Sequence, residues 1–361
     1  PRHVTITATA SSKVYGNPDP EFADATMTNQ VAGELTDIDL TVSRSDAENN
    51  TVDVHHGVLS ISATEAELEA AYTNYTFTIV PADFTISQNE ADLTVRADDV
   101  SKVYDGNTYG VTASAGIEGA TILYKDANGD YTLTESPKQK DVGSQTVEFK
   151  ASLYGYKDAY GSAALEVTPR PVTIKAKAAE KTYGEADPAF EPATMEGQVT
   201  GELTGINLAV SRSDAGDDTL NVHRGVLSIS ATEAELEAAY TNYTFTIVPA
   251  DFTVKVNQNG LTVSAEDVNH VYDGTAYGVA PAANKTGATI LYKDANGEYT
   301  LTESPTQKDV GEKTVEFKAS LYGYADAYGS AKIKITPRHV TITATASSKV
   351  YGNPDPEFAD A

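Results

Sequence analysis

The chain contains no cysteine. Disulfide bonds are therefore excluded, and with them any cysteine-based zinc site. Basic residues are scarce: 26 Lys and Arg stand against 52 Asp and Glu, a net charge of −26. Nucleic acid and anionic membrane surfaces both require clustered Lys and Arg, so no nucleic acid partner is expected. No apolar run approaches the roughly 18 residues of a membrane helix, and no membrane insertion is expected in this segment. There is no nucleophile elbow, no phosphate-binding loop and no Ser/His/Asp ordering. Carboxylates are so abundant that any pair of them is uninformative. The sequence thus assigns no catalytic, cofactor-binding or metal residue, and an enzyme is not expected.

What the chain does have is repetition, which decides the architecture before any local reading. The opening Val4-Thr5-Ile6-Thr7-Ala8, followed by Lys13-Val14-Tyr15-Gly16, recurs four times. The later copies start at Leu93, Val172, Leu261 and Val340, each leading to Tyr-Gly or Tyr-Asp-Gly. The spacings are 89, 79, 89 and 79, so two domain types alternate and one pair occupies 168 residues. Residues 1–25 are identical to residues 337–361, an offset of 336. The boundaries read as a long domain at 1–88, a short one at 89–168, a long one at 169–256, a short one at 257–336, and the start of another long one at 337–361. The last segment is expected to be a window on a longer array whose true period is 336, with its opening strand and turn matching those of residues 1–25. The junctions, Thr168 to Pro171 and Ser87 to Asp92, are short and not Gly/Ser-rich, so the domains should lie end to end.

In the long domain the pattern predicts strands at Val4 to Ala8, Asp39 to Ser43, Gly57 to Ser62, Tyr75 to Val80 and Phe84 to Ile86. One helix is expected, with Thr64 as N-cap and Glu67 completing a capping box. Leu68, Ala71 and Tyr72 fall on one helical face. Thr232 to Tyr240 repeats it. The short domain has no helix signal; its strands are read at Leu93 to Ala97, Thr121 to Tyr124, Tyr131 to Thr134, Gln145 to Ser152 and Ala163 to Val167, with a hairpin turn at Asn128-Gly129. Lys13-Val14 falls in the short gap between opening strand and turn.

The segment Val172 to Pro188, with Val-Thr-Ile, Lys-x-Tyr-Gly and Asp-Pro, resembles the MBG domain of bacterial surface proteins, as does the ending Asn74-Tyr75-Thr76-Phe77-Thr78-Ile79. Val103-Tyr104-Asp105-Gly106, with Gly119-Ala120-Thr121 and Asp141-Val142-Gly143, resembles the YDG and Ig-like repeats found beside such domains. The resemblance implies a mainly β tandem array of large bacterial cell-surface adhesins, with no catalytic residues. Ig-like β-sandwiches would alternate with a mostly-β domain carrying one short helix, for which a β-grasp-like sheet is a candidate topology.

Several side-chain groups invite a functional reading beside a plainer one. Asp126, Asn128 and Asp130 alternate like calcium ligands, but the glycine of an EF-type loop is misplaced at Gly129, and a hairpin is favoured. The acidic loop of Asp46, Glu48 and Asp53, with Asp214, Asp217 and Asp218 in the second copy, is the better calcium candidate, and a solvated loop is the favoured reading. His55 and His56 become His223 and Arg224, and adjacent strand residues face opposite ways, which argues against a shared metal. Tyr154, Tyr156 and Tyr160, repeated as Tyr322, Tyr324 and Tyr328, could stack on sugars, against a favoured role in core or strand-edge packing. Lys13 or Lys102 could join a side-chain carbonyl in an isopeptide bond, though no motif supports it. The function expected is the shaft of a giant, extracellular fibre at the bacterial cell surface. Its partners would be neighbouring repeats, or the same protein in a filament. The alternative is a multivalent adhesive module that binds a glycan or host surface protein weakly through each repeat.

Overall fold

The computed structural model describes residues 1–361. They divide into two compact units. Unit 1 holds residues 1–171 with 197–203 and 237–244, and unit 2 the remainder.

In unit 1 the long domain has seven strands and one helix: β1 (Arg2–Thr7), β2 (Ser11–Val14), β3 (Thr26–Thr28), β4 (Val42–Arg44), β5 (Val54–Ile61), α1 (Glu65–Ala71), β6 (Tyr75–Val80) and β7 (Ala82–Ser87). These form two sheets, β3-β1-β6 and β2-β7-β5-β4. The candidate β-grasp arrangement, one sheet crossed by a helix, is therefore not what forms. The reason lies in the opening segment. β1 runs parallel to β6, and the chain then passes to the other sheet, where β2 runs parallel to β7. Lys13-Val14, read as part of a gap, is thus strand. Alternation sends Val4 and Ile6 inward, where they meet Leu59, Phe77, Phe84 and Ile86 in one core between the sheets.

Two local devices shape this domain. β5 bulges against β7: His55 pairs with Phe84, but Leu59 pairs with Ala82. Gly57, at φ +66°, sits within the bulge, and the Asp83 carboxylate accepts its N–H at 2.8 Å. α1 starts as its sequence dictates. The Thr64 N–H donates to Glu67 Oε2 at 2.9 Å, and the Glu67 N–H donates to Thr64 Oγ1 at 3.3 Å. Leu68 is buried, whereas Tyr72 forms the C-cap and is only half-buried.

The short domain has β8 (Val95–Arg96), β9 (Val100–Val103), β10 (Tyr109–Gly110), β11 (Ser114–Ala115), β12 (Thr121–Lys125), β13 (Tyr131–Leu133), β14 (Lys138–Gln139), β15 (Gly143–Ser152) and β16 (Ala159–Thr168). Its main sheet is β13-β12-β15-β16-β9, faced by the small ladders β8–β11 and β10–β14. Tyr124, Val147, Phe149, Ala163 and Leu165 form the core. The hairpin at Asn128-Gly129 forms, joining β12 to β13. Here too the Tyr-Gly opening contains a strand: β9 pairs in parallel with the end of β16.

Unit 2 repeats these features at offset 168. Val222–Ile229 bulges at Gly225 (φ +64°), Thr232 and Glu235 form the capping box, and Gly311–Ser320 pairs with Ala327–Thr336. Residues 337–361 differ from the expectation. They are exposed and form no strand. The turn alone recurs: the Asn353 N–H donates to Val350 O at 3.2 Å, as Asn17 does to Val14 at 3.1 Å. β1 takes its hydrogen bonds from β3 and β6, and β2 from β7, and residues 337–361 carry no counterpart of these partners.

The core and cap assign different costs to two substitutions. Phe84→Ala, at a fully buried site, should cost about 3–5 kcal/mol. Thr64→Ala should cost about 1 kcal/mol. Amide hydrogen exchange across residues 54–87 measures both, with the Thr64 effect confined to the helix and its β6 contact.

Candidate functional site

In each unit the long domain meets the short domain that follows it through an aromatic joint. Tyr15 stands just past β2, at the turn where Gly16 adopts φ +87°. Tyr154 and Tyr156 stand on the turn between β15 and β16. The Tyr15 ring makes edge contacts with both, at centroid distances of 5.7 and 5.6 Å. Gly155, between the two, adopts φ +83°, and a Cβ there would lie 2.3 Å from the Tyr15 ring. Only glycine lets the ring seat so closely.

Hydrogen bonds close the joint. The Asn89 N–H donates to Gly155 O at 2.9 Å, and Asn89 O accepts from the Lys157 N–H at 2.8 Å. Its side-chain amide donates to Tyr15 O and Asp92, while its Oδ1 accepts from Ala91 and Asp92 N–H. The buried Asn89 is thereby fully partnered. The Tyr154 hydroxyl accepts the Val52 N–H at 3.1 Å. In unit 2 the contacts recur in Tyr183 with Tyr322 and Tyr324 (5.6 and 5.5 Å), in Gly323, in Asn257, which has Gly260 where Asn89 has Asp92, and in the Leu220 N–H with the Tyr322 hydroxyl at 3.0 Å.

Within unit 1 a second joint follows the short domain. Tyr104 is buried and stacks edge-on against Tyr243 at 5.5 Å, and Glu202 accepts from both hydroxyls, at 3.0 and 2.5 Å. Burial first, and then the Glu202 carboxylate, push the Tyr243 phenol up to about 12. Asn242 accepts from the Val142 N–H and donates to Asp141. Arg170, just after Pro169, donates to Tyr104 O and Gly197 O.

Behind the first joint lies a buried ion network that the sequence reading split up. Arg44 contacts Asp19 at 3.2 Å and Asp46 at 2.7 Å, and lies 4.5 Å from the centre of the Phe84 ring. His55 Nδ1 meets Asp46 at 2.5 Å, and its Nε2 meets Thr51 O at 2.9 Å. Lys13 meets Asp19. Unit 2 repeats all of this with Arg212, Asp187, Asp214, His223, Thr219 and Lys181. Asp46 and Asp214 therefore do not belong to a free acidic loop: they hold an arginine and a histidine in place. Glu48 and Asp53 stay exposed. Asp217 and His223 come near Asp214, but both Asp214 oxygens already serve Arg212 and His223.

The other candidates separate cleanly. Asp126 accepts from the N–H groups of Asn128 and Asp130 and from the Thr132 hydroxyl, as a turn-closing carboxylate does. His56 points away from His55 and meets Asp83. Lys102 lies over the Tyr109 ring. The three tyrosines do not act together: Tyr154 and Tyr156 build the joint, whereas Tyr160 pairs with Tyr131 on the outer sheet face. The joint role was missed because Tyr15 and Tyr154 lie far apart in sequence. The signal available was the invariant pairing of Tyr-Gly openings with a Tyr-Gly-Tyr turn in both 168-residue units.

The network makes stability depend on pH. The Thr51 carbonyl and then the Asp46 carboxylate hold the His55 imidazolium, raising its pKa; the Thr219 carbonyl and Asp214 do the same for His223, with burial opposing. A raised histidine pKa gives stability that is complete below the ordinary value of about 6.5 and is lost as pH rises through the folded value. The aspartates act at the acid end. Burial opposes it, but ion pairs with Lys13 and Arg44 lower Asp19, whose contribution is lost as pH falls through its depressed folded value. Melting curves should therefore fall on raising pH from 6 towards 9 in the native chain, by roughly 4–8 °C per kcal/mol lost. The double variant His55→Gln, His223→Gln should melt lower at pH 6 and show a flatter profile.

Residues 4–85 and 172–253 each match the family described as MBG domain (YGX type). No curated protein matches the chain. Among solved structures, the chain is similar to the PKD domain (329–428) of human KIAA0319, at 17% identity over 25% of this chain and 91% of that one, with a TM-score of 0.19. It is similar to the human Desmocollin-1 ectodomain, at 10% identity over 72% and 64%, with a TM-score of 0.26. Drosophila N-cadherin EC1-4 matches at 11% identity over 94% and 100%, with a TM-score of 0.21. No helix is long and apolar enough to cross a membrane, which leaves open a crossing by strands. The chain is mainly β, and residues 4–85 and 172–253 are two tandem segments that match the MBG domain of the YGX type.

Proposed function

We propose that this chain is a structural segment of an extracellular fibre at the bacterial cell surface, in which jointed domains supply length and resist bending. The observation that carries the reading is the joint itself. Tyr15, Gly155, Tyr154, Tyr156 and Asn89 recur as Tyr183, Gly323, Tyr322, Tyr324 and Asn257, with the same contacts. A flexible tether would need none of these. The linkers are also part of the fold: Asn89 is hydrogen-bonded on every polar group, and Thr168 leads through Pro169 into the strand Arg170–Lys175. The high negative charge keeps a long array soluble and keeps neighbouring fibres apart.

Small-angle scattering tests this. With its joints closed the native chain is expected to show a narrow distribution of dimensions, and the variant Tyr15→Ala with Tyr183→Ala, in which the joint inside each unit is opened, a broader one. Identical curves would remove the joints from the account.

A second reading, weak multivalent adhesion to a glycan, has one observation of its own. Tyr160 and Tyr328 are each 61% exposed, and each is paired with a second tyrosine, Tyr131 or Tyr299. Lysines ion-paired to carboxylates flank them. Binding to a neutral-oligosaccharide array that disappears in Tyr160→Ala, Tyr328→Ala would establish this reading; no binding by the native chain would end it.

A further inference from the structure

Lys13 and Lys181 are unusual lysines. Their side chains are only 8% and 6% exposed. Each lies between two carbonyl-bearing groups. Lys13 Nζ is 2.7 Å from Asp19 Oδ1 and 2.7 Å from the side-chain Oδ1 of Asn50. Lys181 Nζ is 2.8 Å from Asp187 Oδ1 and 2.5 Å from Asp218 Oδ1. Lysine, first aspartate and arginine are the same in both copies; the other carbonyl group changes from Asn50 to Asp218. Asparagine and aspartate are the two residues whose Cγ, at that distance from the backbone, is an acyl carbon able to acylate an amine. The Lys181 nitrogen is pressed against the Asp218 Oδ1 atom, which solvent does not reach.

We propose that each MBG domain closes an intramolecular isopeptide bond, Lys13 Nζ to Asn50 Cγ in the first copy and Lys181 Nζ to Asp218 Cγ in the second. Asp19, kept ionised beside Arg44, accepts a proton from the Lys13 ammonium. The freed amine attacks Asn50 Cγ, and the carbonyl electrons move onto Oδ1. Collapse of that tetrahedral centre breaks the Cγ–Nδ2 bond. The nitrogen takes the proton relayed by Asp19 and a further proton from Nζ, and leaves as ammonium, with Asp19 ionised again. The net change is ammonium plus carboxamide to secondary amide plus ammonium ion. In the second copy Asp187 relays the proton, the Cγ–O bond breaks, and water leaves: ammonium plus carboxylate gives amide plus water. Arg212 Nη1, 3.8 Å from Asp218 Oδ1, faces the developing oxyanion. No oxidant or other co-reactant is required. Held contact of amine and carbonyl supplies the effective concentration such a reaction needs, and the product replaces buried charge with a neutral amide. The bond would tie β2, which leads directly to Tyr15, to the loop whose Val52 N–H holds the Tyr154 hydroxyl.

The test is the intact mass of the full chain, sprayed from acid denaturant so that ion pairs do not survive. The expected mass is about 35 Da below that of the sequence, about 17 for ammonia and about 18 for water. Asn50→Ala should remove the first loss and Asp218→Ala the second, and Asp19→Asn, which keeps the side-chain shape, should also abolish the first. Tryptic digestion should yield one branched peptide joining Lys13 to Asn50 and another joining Lys181 to Asp218. A mass equal to that of the sequence overturns the proposal. So does a loss that survives in the Asn50→Ala, Asp218→Ala double variant, since it would then come from elsewhere, such as succinimide formation at Asn128-Gly129.

Discussion

The contact on which the rest depends is the seating of Tyr15 between Tyr154 and Tyr156 with no atom between its ring and the Gly155 backbone. Small β domains bury limited apolar area and have little to spare for an interface. This joint uses little. One ring is clamped by two edge contacts, each of a kind that contributes about 0.5–1.5 kcal/mol beyond burial. A single asparagine then satisfies the backbone of the linker. Geometry does the remaining work, since Gly155 and Gly16 allow turns on both sides that a side chain would force apart.

The joint is also tied to the interior of the long domain. Thr51 O receives His55, and the next residue, Val52, donates to Tyr154. Lys13 and Tyr15 lie two residues apart at the end of one strand. The ion network thus fixes the two segments that hold the neighbouring domain. Removing one member of such a network leaves a buried charge unpaired, and that costs more than the intact network gains. This explains why Lys, Asp, Arg, Asp and His recur together in both units while exposed residues around them change.

Much of this was legible in the sequence, for identifiable reasons. The period of 168 follows from counting, and the capping box at Thr64 and Glu67 is local chemistry, so both are found without a structure. Gly129 marks its hairpin for the same reason. What was not legible is long-range. β2 and β9 give no strand signal of their own because a parallel strand needs a partner many residues away, Phe84 to Ser87 for one and Leu165 to Thr168 for the other. Asp46 looked like one more surface carboxylate in an acidic chain until Arg44 and His55 were brought to it. The helix of the long domain suggested a single crossed sheet, whereas the switch of the chain between β1 and β2 makes two.

The central claim is that the Tyr-Gly-Tyr joint fixes each long domain to the short domain after it. Residual dipolar couplings measured separately for residues 1–88 and 89–168 of the aligned chain address this directly. A fixed joint predicts one shared alignment tensor for both sets, separating into two in Gly155→Ala, where a Cβ would meet the Tyr15 ring. Two tensors of different magnitude in the native chain would contradict the account.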